Sequence, residues 1–165
     1  MNADGLIVAG QALTLDAGSI DNRGGTVASL AQALDVSART GAIGNEGGRL
    51  LAAGAVQLRS QGLLNAQGTV MGQGVAIDAH GLALDNTGGR LVAQEQGLSV
   101  HSGTLLNDGG LMQSAGRLDV DTNGQRLANT HSGESGGIVA GGALTLATGE
   151  LDNTAGLIAS GTELV

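Results

Sequence analysis

Aliphatic residues in this chain come in short alternating bursts, and the bursts return every 20 to 24 residues. Within each return, one aliphatic column is Ile7, Val27, Leu50, Val70, Leu91, Met112, Ile138 and Ile158. Two positions on the residue is small: Ala9, Ser29, Ala52, Gly72, Ala93, Ser114, Ala140 and Ser160. An aliphatic pair with one residue between follows, as in Leu34 and Val36, Val56 and Leu58, Leu98 and Val100. A third aliphatic column closes the unit: Ile20, Ile43, Leu63, Leu84, Leu105, Leu127 and Leu151. A spacing of two is a strand period, because successive side chains on a strand point to opposite faces. Nothing recurs at three and four, as an amphipathic helix would require.

An asparagine marks the same point of each unit: Asn2, Asn22, Asn45, Asn65, Asn86, Asn107, Asn129 and Asn153, at spacings of 20, 23, 20, 21, 21, 22 and 24. A period near 21 reads as a solenoid in which each repeat is one coil stacked on the last. The fold class expected is all-β, a parallel β-helix of about eight coils with three short strands per coil. The handedness bias of parallel connections makes it right-handed. Residues 1–165 form one solenoid segment, and since the repeat is already under way at residue 2 and breaks off within a coil, a longer rod is expected to contain it. Asn22, Asn45, Asn65, Asn86, Asn107, Asn129 and Asn153 are expected to form a ladder at a turn, tolerating a left-handed backbone and bonding along the axis. Three residues after the asparagine comes glycine (Gly5, Gly25, Gly48, Gly68, Gly89, Gly110 and Gly156, with Gly136 in the longer seventh repeat). It is expected to supply positive φ there. The small column is expected where a larger side chain would meet the opposite wall.

Composition agrees with a thin rod. There are 31 glycines, no proline, no cysteine and no aromatic residue. Proline would remove ladder donors, and flat layers of stacked Leu, Val and Ile leave little room for rings.

The unit Gly-x-Leu-x-Asn, then x-Gly-Gly-x-Leu-x-Ala, then Leu-x-Leu appears as GLALDNTGGRLVAQEQGLSV at residues 81–100. It returns as GTLLNDGGLMQSAGRLDV at 103–120 and GELDNTAGLIASGTELV at 149–165. The pattern resembles the filamentous haemagglutinin repeats of two-partner-secreted bacterial exoproteins, which include haemagglutinin-type adhesins and contact-dependent growth inhibition effectors. That resemblance implies a right-handed β-helical shaft on a protein that is secreted or held at the surface of a Gram-negative bacterium. It also implies an outer-membrane two-partner secretion transporter as partner during export, and neighbouring coils of a parent protein as packing partners. It supplies no catalytic residue.

Other chemistries find little support. A polysaccharide-cleaving β-helix needs acids converging on one face, whereas Asp16, Asp35, Asp78, Asp85, Asp108 and Asp152 are spread along the coils. Asp119 and Asp121 share a strand and point outward together, which is the ordinary pattern of a solvated face. Calcium nonapeptides, hexapeptide coils and threonine-ranked ice-binding rods each require a period or column absent here. His80, His101 and His131 fall in separate repeats without paired ligands at metal spacing. No cofactor is expected. A formal charge of −8, with seven arginines against fifteen acids, argues against nucleic acid.

Two features are candidates for recognition of a host or bacterial cell surface. One is the longer seventh repeat, whose extra residues include His131 and Glu134 and should bulge outward as a loop. The other is the column between the first strand's inward residues, which includes Val8, Leu51, Met71, Val92 and Val139. Alternation turns this apolar stripe outward, where it would serve as a contact surface or be covered by its neighbours. Two roles stay open: a spacer presenting a distal binding or toxin region, and a shaft that is itself adhesive.

Overall fold

A computed structural model describes all residues, 1–165, and its regular structure is entirely strand. The strands form three parallel sheets that run the length of a solenoid, one of eight strands and two of seven. The first sheet stacks Leu6–Ala9, Thr26–Ser29, Arg49–Ala52, Thr69–Gly72, Arg90–Ala93, Leu111–Ser114, Gly137–Ala140 and Ile158–Ser160. The second runs from Leu13–Ala17 to Leu144–Ala147, and the third from Ile20–Asp21 to Glu150–Asp152. Every strand pairs with the equivalent strand one repeat away, so the columns read from the sequence are the pairing register: Leu50 to Val70, Val70 to Leu91, Leu91 to Met112, Met112 to Ile138. Seven coils are complete and an eighth is begun, joined to the second sheet by a bridge from Leu144 to Leu164. Coils are numbered below from their asparagines, coil 1 at Asn2 and coil 8 at Asn153.

A single core fills the interior. Val27, Leu50, Val70, Leu91, Met112 and Ile138 form one wall, Leu34, Val56, Leu98 and Leu118 a second, and Ile43, Leu63, Leu84, Leu105 and Leu127 a third. Each buried aliphatic is worth roughly 1.5–3 kcal/mol, against an ordering cost of about 1–2 kcal/mol per residue, so coils hold only as a stack.

Two expectations about the turns are corrected. The ladder asparagines do not adopt a left-handed backbone, and neither do the glycines three residues after them. Positive φ falls two residues after the asparagine, at Asp4, Gly24, Gly47, Gln67, Gly88, Gly109, His131 and Ala155. The next residue is glycine for lack of space. A Cβ at Gly25, Gly48, Gly68, Gly89 or Gly110 would run into the carbonyl oxygen of the asparagine one coil earlier. The small column lies at the corner between the first and second sheets, where main chain of the previous coil as well as the second wall limits the space. A Cβ at Gly72 would meet the Gly54 carbonyl oxygen at 2.7 Å and the Val56 side chain at 3.0 Å. Ser29, Ser114 and Ser160 use that corner to donate to main-chain carbonyls, as from Ser29 Oγ to Gln11 at 2.7 Å and to Gln32 at 2.9 Å.

Candidate functional site

The asparagines lie at the corner between the third sheet and the first, and six of them, Asn22 to Asn129, are fully buried. Each Nδ2 donates to the Oδ1 of the next: Asn22 to Asn45, Asn45 to Asn65, Asn86 to Asn107, Asn107 to Asn129 and Asn129 to Asn153 at 2.7 Å, and Asn65 to Asn86 at 2.8 Å. From Asn22 to Asn107 the same nitrogen also donates to the carbonyl of the glycine three residues on, 3.2 Å from Asn65 to Gly68, whereas Asn129 Nδ2 donates to the Leu157 carbonyl at 2.9 Å. Asn153, in the last coil, is exposed. Every buried amide is thus partnered within the corner, and nothing in the ladder faces a ligand. Replacing Asn86 by alanine removes the acceptor of Asn65 and the donor of Asn107 together. The expected loss is about 2–4 kcal/mol, since each buried polar group left alone costs ~1–3 kcal/mol. Urea unfolding followed by far-UV circular dichroism checks this, and an unchanged midpoint would refute it.

The loop of coil 7 leaves the corner at Ser132, whose carbonyl accepts from Gly136 N at 2.8 Å, so four added residues close on themselves. His131 is exposed, with Nδ1 2.7 Å from Asp108 Oδ1, and Thr130 Oγ1 donates to that same oxygen at 2.7 Å. Glu134 sits exposed in the loop and forms no ion pair. His131 and Glu134 are not brought to any common site with His80 or His101, and no three metal-binding side chains converge.

Val8, Ala28, Leu51, Met71, Val92, Gln113, Val139 and Ala159 do form one column on the outer side of the first sheet. It is not evenly open. Val8 is 46 % exposed, Leu51, Met71 and Val139 are half-buried, and Ala28 and Val92 are covered to 7 % and 8 %. Bulky neighbours above and below shade the smaller members of the stack. Beside this column runs a second outward one: Leu6, Thr26, Arg49, Thr69, Arg90, Leu111 and Gly137. Arg49, Leu51, Thr69, Met71 and Arg90 line one shallow dish.

Charge is divided unequally among the faces. None of the eight strands of the first sheet holds an acidic residue. The second sheet presents Asp16, Asp35, Asp78, Asp119 and Asp121, and the third Asp21, Asp85, Glu150 and Asp152. Arg23, Arg39, Arg59, Arg117 and Arg126 each pair with such an acid, at 2.6 to 2.9 Å. Arg49 and Arg90 have no acidic partner. The signal for this pair in the sequence is their place directly before the first inward column, Arg49 before Leu50 and Arg90 before Leu91, which alternation turns outward.

The ion pairs move acid strengths. The Arg23 side chain, helped by its own backbone N–H, holds the Asp21 carboxyl down at about 2. Arg39 lowers Asp16, Thr130 and then His131 lower Asp108, and Thr154 ahead of Arg126 lowers Asp152. A carboxyl whose pKa is lower folded than unfolded stabilises fully above the unfolded value of ~3.9, and that help is lost as pH falls through the folded value. The urea midpoint should therefore stay level from about pH 5 to 8 and fall between about pH 4 and 2. A midpoint that rose on acidification would contradict these shifts.

The Haemagglutinin repeat family matches the chain over residues 1–38, 30–83, 75–134 and 113–165, leaving no part uncovered. The chain belongs to the haemagglutinin repeat family. The repeats of that family are here the coils of a parallel β-solenoid with three strands per coil. The toxin CdiA of Yersinia pestis is 28 % identical over 185 aligned positions, an alignment covering 93 % of this chain. The chain spans 6 % of that relative's length. No solved structure matches it.

Proposed function

We propose that this chain is a shaft segment of a large bacterial surface protein, either an adhesin or a contact-dependent inhibition effector. In this reading the coils are a spacer that holds a distal binding or toxin region away from the cell. The observation that carries it is the continuity of the three sheets from the first repeat to the last, each coil built like its neighbours. Such a structure converts chain length into reach, at about 4.8 Å per coil. Three other findings support it. The family match is to repeats throughout, a long toxin relative shares the pattern, and the buried polar groups are absorbed in corners. The role is structural and not catalytic. Export runs through an outer-membrane transporter of the two-partner type, and the site of action is outside a Gram-negative cell.

The half-open column with Leu51 and Met71 favours a second reading, in which the shaft is itself adhesive. Binding of the purified chain, labelled chemically at its amino terminus, to bacterial and animal cells separates the two. A spacer shows no saturable binding above that of an unrelated acidic rod. Saturable binding that is lost on Leu51→Ser with Met71→Ser, or on replacing residues 131–135, would transfer the function to the surface of the rod.

A further inference from the structure

Arg49 and Arg90 lie in coils 3 and 5, in register through Thr69 of coil 4. Two coils separate them along the axis, about 9.6 Å at ~4.8 Å per coil. They are exposed, unpaired, and the only charged residues in the strands of the first sheet. On the second sheet, Asp78 and Asp121 lie in coils 4 and 6, in register through His101 of coil 5. Their separation is again two coils, because every coil of the rod has one pitch. Neither aspartate is ion-paired with an arginine: Arg59, the neighbour of Asp78 in register, is turned to Asp35, and the cations nearest the two carboxylates are His80 at 3.7 Å and His101 at 3.4 Å.

We propose that the first sheet of one copy docks laterally on the second sheet of another, rods parallel and offset by one coil. Arg49 then meets Asp78 of the other copy and Arg90 meets Asp121.

Three features of the geometry select this arrangement. When two rods lie side by side with parallel axes, the strands of the facing sheets run in opposite directions. Arg49 precedes Leu51 on its strand, and Asp78 follows Ala76 on its own. Opposed strands therefore bring arginine over aspartate and, in the same step, Leu51 over Ala76 and Met71 over Ser99. Antiparallel rods would set the arginines over Ala76 and its column instead. Size is complementary as well as charge. The half-buried Leu51 and Met71 face Ala76 and Ser99, which line two shallow depressions. The small Thr69 faces His101. Offset also matters, because with none Arg49 would face Arg59 of the other copy, and an offset of two would set it against His101. At one coil, both arginines find carboxylates and no like charges meet in either column: Leu6 faces Ser37, Thr26 faces Arg59, Val8 faces Asp35, Ala28 faces Gln57, Val92 faces Asp119, and Gln113 faces Thr145. The surface is one strand wide and the chain carries a charge of −8, so the contact belongs to the transient class. It joins unlike faces, so a pair leaves one of each face open for further rods.

Crosslinking tests this directly, since the chain has no cysteine of its own. Thr69→Cys in one preparation is mixed with Ser99→Cys in another and treated with a short bifunctional maleimide. The expected product is the mixed pair, formed well above the level given by Thr69→Cys with Ala83→Cys, an exposed position just before the third sheet's Leu84–Asp85 strand. Arg49→Glu with Arg90→Glu in the first chain should lower that yield about tenfold, as expected for two facing charge pairs turned repulsive. Asp78→Arg with Asp121→Arg in the second chain should then restore it. Asp78→Asn with Asp121→Asn is the milder variant, keeping the turn bonds to His80 N and Asn123 N while removing the charge. It should also lower the yield with an unaltered first chain. Equal yields from Ser99→Cys and Ala83→Cys overturn the proposal, as does a yield indifferent to the arginine reversals. Retention of the chain on an immobilised acidic polysaccharide through Arg49 and Arg90, with no mixed pair trapped, would likewise overturn it and give this face to an external anion.

Discussion

Leu91→Asp is expected to unfold the middle of the rod, whereas Arg90→Asp, one residue earlier, is expected to leave stability nearly unchanged. Leu91 is fully buried in the first wall of the core, between Val70 and Met112 in register. Truncating such a leucine alone costs about 2–5 kcal/mol, and a carboxylate placed there has no cation or donor to meet it. The combined loss is on the order of 5 kcal/mol or more, enough to cancel the stability of an ordinary domain. Arg90 points to solvent from the same strand and forms no ion pair, so its replacement falls within about 0.5 kcal/mol. The chain has no tryptophan or tyrosine to report unfolding, so far-UV circular dichroism melts supply the comparison. Similar melting of the two variants would mean that the inward and outward residues have been exchanged.

The second large effect is expected at Gly89→Ala, again beside a neighbour that should tolerate the same change. An added Cβ at Gly89 would collide with the carbonyl oxygen of Asn65 and approach Asn86 Oδ1 at 2.6 Å and Asn65 Nδ2 at 2.9 Å. The first of these is main chain of the coil below and cannot withdraw without opening the pairing that holds both coils. Overpacking of this kind costs about 1–3 kcal/mol and more where backbone is the obstacle. Gly88 differs. It has φ near +60°, and its added Cβ would meet only Gln67 Cγ, at 3.4 Å. Its column already contains Asp4, Gln67 and Ala155 in the same backbone conformation. Gly88→Ala should therefore cost about 1 kcal/mol, the ordinary price of a left-handed residue. Urea midpoints falling further for Gly88→Ala than for Gly89→Ala would contradict the close-approach explanation.

The two glycines also mark where reading the sequence reaches its limit. Period and alternation located the three sheets and the pairing columns, because a strand's side chains report which face is buried. The same reasoning gave positive φ to Gly89 and its equivalents, one residue too late. Nothing in a list of repeats separates a glycine required by torsion from one required by contact with the previous coil. A hint was present, since the column before it admits Asp4, Gln67 and Ala155, while the Gly89 column admits no side chain outside the longer seventh repeat. The outer surface was harder still. Alternation correctly turned Leu51 and Met71 outward, but the shading of Val92 depends on the side chains stacked around it. The isolation of Arg49 and Arg90 follows from which acids lie within reach in space, and Arg126 finds Asp152 a full coil away.

The stacked-coil architecture has one consequence that no ordinary globular domain shares. Removing residues 86–106 takes out one complete repeat, joining Asp85 to Asn107 and presenting Asn107 to Asn65 in place of Asn86. Small-angle X-ray scattering of the shortened chain should show a folded rod of unchanged cross-section, shorter by about 4.8 Å. An unfolded chain, or a particle of altered cross-section, would mean that the repeats are not interchangeable coils of one shaft.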